Sequence, residues 1–356
     1  MHQSNSTYAM HLSDRLFPID SHRRRFARKL ASVLLNVKSA ECPPHLAANH
    51  RSFSPGGEEL LVRSLKDNYF TNPEYYPDPV DDYLSTDVGQ KDLEGHVRSR
   101  LEIDRRSRIP WLDDVSTLRG ATILEIGCGT GSSTVALVEQ GAVVVGVDID
   151  AGFLKVAEDR CSAYGLEARF IQSNATEIEA HTKGENFDFI IFFASLEHMT
   201  VDERLKSLRC AWDRLSSGKY LVVTDTPNRL WYFDFHTSLT PFFFWLPDDL
   251  AFLYSGRTPR EIYNRVFQTQ TDDARVRFNR WGRGVSFHDF ELAFEIPAAE
   301  LPIAGCMTSF LRKQTNSARL YRRSVAGRYE VLLSEICPGV HQGFCLQNLD
   351  LVFRKP

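Results

Sequence analysis

Residues 122–150 read TILEIGCGTGSSTVALVEQGAVVVGVDID. Ile123, Leu124 and Ile126 fit a strand, Gly127, Gly129 and Gly131 a tight turn, and Val135, Ala136 and Val138 the helix that follows. A second apolar run, Val143 to Val147, ends at Asp148. A strand that runs into glycines and then a helix leaves bare backbone and a helix N-terminus at the edge of a parallel sheet, where such sheets hold nucleotide-like ligands. An acid at the tip of the next strand can accept hydrogen bonds from both hydroxyls of a ribose. A ribose-bearing ligand is therefore expected.

The glycine spacing separates ligand classes. A dinucleotide fingerprint uses G-x-G-x-x-G/A, whereas here the glycines fall at 127, 129 and 131 and Ser132 stands where the third small residue would be. G-x-G-x-G preceded by Glu125 resembles the first motif of class I S-adenosylmethionine-dependent methyltransferases, and Asp148 matches that family's ribose-binding acid. The resemblance extends to Phe170–Ala175 as the third strand and its adenine-binding end, with Asn174 where many members carry Asp. It continues through Phe187–Met199 with its Leu196-Glu197-His198 end, and Gly218–Thr226 as the fifth strand. It implies an α/β, Rossmann-like class I methyltransferase fold: a mostly parallel seven-stranded sheet with helices on both faces, whose last strand runs antiparallel.

The alternation of elements points the same way. Strands are expected at 122–127, 143–148, 168–173, 187–194 and 219–226, with helices at 132–140, 151–164 and 202–215 and a weak one near 177. The continuously apolar strands at 143–147 and 187–194 suit a sheet covered on both faces. Residues 1–110 read as an N-terminal helical extension, with helical patterns at Arg23–Val37 and Leu93–Arg106 and an aromatic, proline-punctuated stretch from Tyr69 to Pro79. The resemblance implies a lid there; packing of these aromatics on the core is the alternative. The domain proper spans 111–356, with a donor-binding core at 120–226, an insertion at 227–300, and sheet completion at 301–356 by a helix over Arg319–Ile336 and a strand over Leu349–Phe353. The insertion is strongly aromatic (Trp231, Tyr232, Phe233, Phe235, Phe242–Trp245) and reads as a substrate cap, or else as an oligomer contact or plain core.

Composition narrows the function further. A net charge of −4 and pI near 6.3 offer no global attraction to phosphate polymers, so nucleic acid is not an expected partner. Seven cysteines occur singly, with no C-x-x-C pair to suggest zinc or a redox site. No stretch reaches the ~18 consecutive apolar residues of a membrane span, and no signal peptide is apparent, so a cytoplasmic location without a membrane partner is expected. A homodimer is among the oligomeric states left open.

By resemblance, the donor S-adenosylmethionine lies against Gly127, Gly129 and Gly131, with Glu125 beneath its amino group, Asp148 on the ribose, Ile149 packed on adenine, and Asn174 and Ala175 at the adenine edge. Methyl transfer needs no metal, and Ala194, Ser195, Leu196 and Asp225 do not reproduce the carboxylate cluster of the family's magnesium-dependent branch, so none is expected. An acceptor hydroxyl must lose a proton. Candidate bases are His198 and Asp225 at strand ends and His236 in the insertion, with Asp234 two residues away to orient it; Asn228, Trp231 and Tyr232 are candidate contacts to a small-molecule acceptor. These features lead to O-methylation of a small molecule. Two alternatives remain: an enzyme that uses the aminocarboxypropyl arm of the donor and releases methylthioadenosine, and a regulator that binds the donor without consuming it.

Overall fold

A computed structural model describes residues 42–73, 75–76, 78–269, 271–314 and 324–356. Its centre is a seven-stranded sheet: β1 Thr122–Ile126, β2 Val143–Asp148, β3 Arg169–Gln172, β4 Phe189–Phe193, β5 Tyr220–Pro227, β6 Ile303–Cys306 and β7 Asn348–Arg354. The strand order is β3-β2-β1-β4-β5-β7-β6. β1 through β5 pair in parallel, and β7 runs antiparallel to both β5 and β6. The chain therefore reverses direction on the two sides of β1, which opens a crevice at the carboxyl ends of β1, β2 and β4.

Alternation along each strand divides the core in two. Ile123, Val144, Phe189, Ile191 and Val222 face one layer. Leu124, Val145, Ile190, Phe192 and Val223 face the other. The first layer takes the N-terminal helices: α1 Gly57–Asn68, then α2 Asp87–Glu94, α3 Arg100–Ile103 and α4 Ile109–Val115, the last three joined by π-helical turns at Gly95–Ser99 and Asp104–Arg108. Leu61, Leu65, Phe70, Leu101 and Trp111 share one core with the sheet, so the described part of the N-terminal region is built into the domain. Buried Arg105 fastens it, donating to both oxygens of Glu139 at 2.9 and 2.7 Å. The helical pattern read at Arg23–Val37 lies outside the described residues.

The crossover helices are α5 Ser132–Val138, α6 Ala151–Ala163 and α7 Val201–Arg214, the last opened by a capping box between Thr200 and Glu203. The weak helix near 177 is a 3₁₀ turn, Ala175–Glu177, followed by one α-helical turn, Ile178–His181.

After β5 the insertion forms α8 Asp248–Ser255, α9 Glu261–Val266, α10 Asp272–Arg280 and α11 Phe287–Phe294. Phe243, Phe244, Phe252, Tyr263, Phe267, Phe278 and Trp281 pack edge to face into a small core of their own. Much of the aromatic surplus is therefore structural. Helix Met307–Gln314 follows β6, and helix Val325–Ile336 realises the described part of the pattern read from Arg319.

Candidate functional site

The turn after β1 is shaped by three glycines in the left-handed region, with φ of 78°, 51° and 74° at Gly127, Gly129 and Gly131. Their surroundings differ. A β-carbon on Gly127 would stand 2.4 Å from Cβ of Ser195, and one on Gly131 2.9 Å from Cα of Ala157. One on Gly129 would meet nothing within 4 Å. Gly127 and Gly131 let β4 and α6 close on the turn, while the side of Gly129 that a β-carbon would occupy is open space.

Asp148 completes this notch. Its Oδ2 accepts the Gly129 N–H at 2.9 Å and its Oδ1 the Asp150 N–H at 3.0 Å. Burial raises its pKa and these N–H groups oppose the rise. The carboxylate holds the loop and still has lone pairs for two further donors. Ile149 beside it is 61% exposed, an apolar surface left open.

Glu125 is fully buried, and Ser133 and Thr134 at the start of α5 donate their hydroxyls to it. Burial pushes its carboxyl up to about 7 against those two bonds. It ties the helix N-terminus to β1, an anchoring task that its expected place beneath the donor's amino group did not include. Asn174 caps the next turn: its Oδ1 accepts the Thr176 N–H at 2.9 Å. That occupies one lone pair of the carbonyl expected to face adenine. Ala175 is half-buried and packs toward the second core layer.

The acceptor side departs further from expectation. Asp225, with φ of 56°, receives Arg108 on Oδ2 at 2.8 Å and Asn348 on Oδ1 at 3.1 Å. Both oxygens are engaged, so the geometry makes it an ion-pair partner of the N-terminal region, not a free base. Asp234 is fully buried and accepts the backbone N–H groups of His236, Thr237 and Ser238 together with the Thr237 hydroxyl. It builds a turn and does not touch the His236 ring it was expected to orient. Asn228 is buried, donates to the Phe344 and Leu346 carbonyls at 2.6 and 2.7 Å, and accepts from Leu230. With those bonds made it splices β5 to the loop before β7, and its candidacy as an acceptor contact lapses. Trp231 is buried edge-on against Tyr329, and Tyr232 packs on the same ring.

The two histidines do meet. His198, just past β4, and His236, in the insertion, lie with ring centroids 5.3 Å apart. His198 Nδ1 lies 2.8 Å from the Arg280 carbonyl, so that nitrogen carries the proton and Nε2 is a bare acceptor. Burial lowers the pKa of His198 while the Arg280 carbonyl raises it; burial, with His198 and Arg260, takes His236 down to about 3. Both rings are neutral at pH 7.

Glu197 joins them, and sequence reasoning passed it over. It is fully buried, neither carboxylate oxygen has a hydrogen bond of normal geometry among the described residues, and Oε1 lies 3.8 Å from His198 Nε2. Burial pushes its carboxyl up to about 8; the Asp225 charge adds to this, and its own backbone N–H, Arg204 and Thr226 oppose it. The one signal was its place in the Leu-Glu-His run. Because Ser195 packs on Gly127, this cluster adjoins the glycine notch.

Residues 123–218 match the family model described as a methyltransferase domain. That segment is a methyltransferase domain by this match. The chain is similar to the ubiquinone biosynthesis O-methyltransferase of Coxiella burnetii (strain RSA 493 / Nine Mile phase I), at 31% identity over 122 residues, 34% of this chain and 50% of the relative. It is also similar to the enzyme of that name from Paracidovorax citrulli (strain AAC00-1), at 32% over 108 residues, 30% of this chain and 45% of the relative. The chain spans about half the length of the curated relatives it matches. Among solved structures, magnesium protoporphyrin IX methyltransferase from Synechocystis PCC 6803 with bound SAH aligns at 21% identity and a TM-score of 0.34, over 48% of this chain and 74% of that one. The matched segment of the methyltransferase domain contains the glycine turn, Asp148 and the Glu197–His198 pair, and it stops short of the insertion that carries His236.

Proposed function

We propose that this protein transfers the methyl group of S-adenosylmethionine to an oxygen of a small molecule. The observation that carries the reading is the notch: Gly129, open to space, lies beside an acid whose two oxygens brace the loop and keep lone pairs for a ribose. Exposed Ile149 offers adenine an apolar seat and Asn174 a polar edge. The donor's sulfonium carbon is already activated, so the protein's main task is to align it with the acceptor oxygen at roughly 3 Å. In the transfer the C–S bond breaks with its electron pair left on sulfur, and a C–O bond forms.

The acceptor hydroxyl must shed its proton, and the neutral ring of His198, with Nε2 bare, is the group beside the notch suited to receive it, while His236, held down to about 3, can only help to position it. Tyr75 of the N-terminal region stands 6.5 Å, ring to ring, from Trp281 of the insertion, a contact that supports reading the insertion as a cap that keeps water from the sulfonium. The O-methyltransferase names of the relatives favour oxygen as the nucleophile.

Titration calorimetry with S-adenosylmethionine, followed by mass analysis of turnover products, tests the reading. S-adenosylhomocysteine is the expected product. Methylthioadenosine would overturn methyl transfer, and absence of donor binding would overturn the whole reading.

A further inference from the structure

We propose that a cavity on the face of the sheet away from the N-terminal helices binds a medium-chain aliphatic carboxylate. The cavity measures about 210 Å³ and lies between α7 and the short crossover from β3 to β4. It exists because that crossover is brief. A 3₁₀ turn, Ala175–Glu177, and one α-helical turn, Ile178–His181, stand where the other crossovers carry helices of 7 to 14 residues. Leu124 and Ile126 of β1, with Ile178 and Ala211, are left lining an unfilled apolar space.

Two polar groups mark this space as a ligand site. Ser207 is 1% exposed and its hydroxyl has no hydrogen-bond partner; the Nε–H of Arg214 is buried and equally unpartnered. Native interiors seldom leave such groups orphaned. Both residues belong to α7 and both line the cavity. The partners of Arg214 among the described residues are the Thr182 and Glu185 carbonyls, to which Nη2 donates, and the Phe187 ring, 5.5 Å away at its centroid. Its charge is therefore balanced by no carboxylate there. The two acids of the lining, Glu179 and Asp213, are exposed at its mouth.

Spacing and volume fix the shape of the occupant. Ser207 and Arg214 stand seven positions apart on one helix, roughly 10 Å along its axis. A cavity of that length and volume is only about 20 Å² in section, which admits one unbranched chain and excludes fused rings. The Arg214 Nε–H calls for an anionic acceptor, and the Ser207 hydroxyl can bond a polar atom further along the chain. Roughly six to eight carbons span the distance. Ala175 also lines the cavity, so an occupant bears on the turn that Asn174 caps. The site itself does not rest on the methyl-transfer reading.

Cys210, partly exposed and in the lining, is a built-in reporter for the test. Full-length protein is alkylated with iodoacetamide with and without octanoate, kept below its micelle concentration, and the rate at each cysteine is read by peptide mass spectrometry. Octanoate should slow Cys210 at least about 10-fold and leave Cys42 and Cys337, also partly exposed, unchanged. Octan-1-ol, which lacks the anion, should need about 10-fold higher concentration, and Arg214→Gln should remove that difference. Ala211→Leu fills the space and should abolish protection. Circular dichroism checks the fold of both variants; if Arg214→Gln does not fold, Ala211→Leu and the comparison with octan-1-ol decide. An unprotected Cys210, protection shared by Cys42 and Cys337, protection retained in Ala211→Leu, or octan-1-ol as effective as octanoate would each overturn the site.

Discussion

Asp148 carries two loads, and removing it should show both. In the ligand-free protein its carboxylate accepts the Gly129 N–H at 2.9 Å and the Asp150 N–H at 3.0 Å. In the proposed donor complex it would also accept two ribose hydroxyls. Hydrogen bonds to an ionised acceptor contribute about 1.5–3 kcal/mol each, so losing the ribose pair, with water filling part of the gap, costs about 3 kcal/mol. That is roughly a 150-fold rise in the dissociation constant for S-adenosylmethionine. Asp148→Asn is not a mild version of this change. Its one carbonyl can accept from Gly129 or from Asp150, and its NH₂ then faces the other N–H, donor against donor, at about 1–2 kcal/mol of stability. Calorimetry of donor binding, run well below the melting temperature of each variant, measures the first load; urea unfolding without ligand measures the second. An Asp148→Ala protein that binds the donor as tightly as the wild type would refute the placement of the ribose, whatever its stability.

Glu125 should make stability depend on pH in an unusual direction. Its carboxyl sits at about 7 in the folded chain against a usual 4.5, so the contribution is fully present below about 4.5 and is lost as pH rises through 7, about 3 kcal/mol in all. Urea unfolding of wild type and Glu125→Gln at pH 5 and pH 8 should differ in slope, and parallel pH profiles would count against it. The glycines should separate by readout. Gly127→Ala drives a β-carbon into Ser195 and should fold poorly, whereas Gly129→Ala meets no atom, costs about 1 kcal/mol of backbone strain and loses donor affinity; the reverse ranking in thermal unfolding would contradict the geometry. Arg105→Ala should cost about 3–5 kcal/mol by stranding the buried Glu139 carboxylate, and a change below 1 kcal/mol in urea titration would show that this pair does not fasten the N-terminal region.

What the sequence disclosed follows from where each interaction is encoded. The donor notch is written in short, contiguous stretches: glycines at fixed spacing fix the turn, and continuous apolar runs fix parallel strands, so β2 is expected at 143–148 and lies there. Strand β6, Ile303–Cys306, falls inside the expected sheet completion at 301–356 but was not located beforehand, because four residues with a glycine and an alanine carry no periodic signal and form a strand only through pairing with β7. The roles of Asp225 and Asp234 failed for a related reason. Position at a strand end says that a carboxylate is near the site, but not that Arg108, over a hundred residues earlier, or three consecutive backbone N–H groups have already taken its lone pairs.

The same contrast explains why the acceptor half was read only in part: His198 and His236 were singled out and do meet, whereas Glu197 was passed over. Its groups come from three segments: Glu197 and His198 from the end of β4, His236 from the turn wound around Asp234, and Arg280–Gly282 from the end of α10. Only the insertion's aromatic core brings the second and third together, through Tyr263, Phe267 and Trp281 on one side and the Arg260 guanidinium on the His236 carbonyl on the other. That core is separate from the two layers that flank the sheet, so it can be repacked without disturbing the glycine turn or Asp148. On the proposed function, a fold organised this way would hold the donor with the shared domain and the acceptor with the insertion. Changes in acceptor preference should therefore map to residues 227–300, and donor affinity to the turn and strand ends before them.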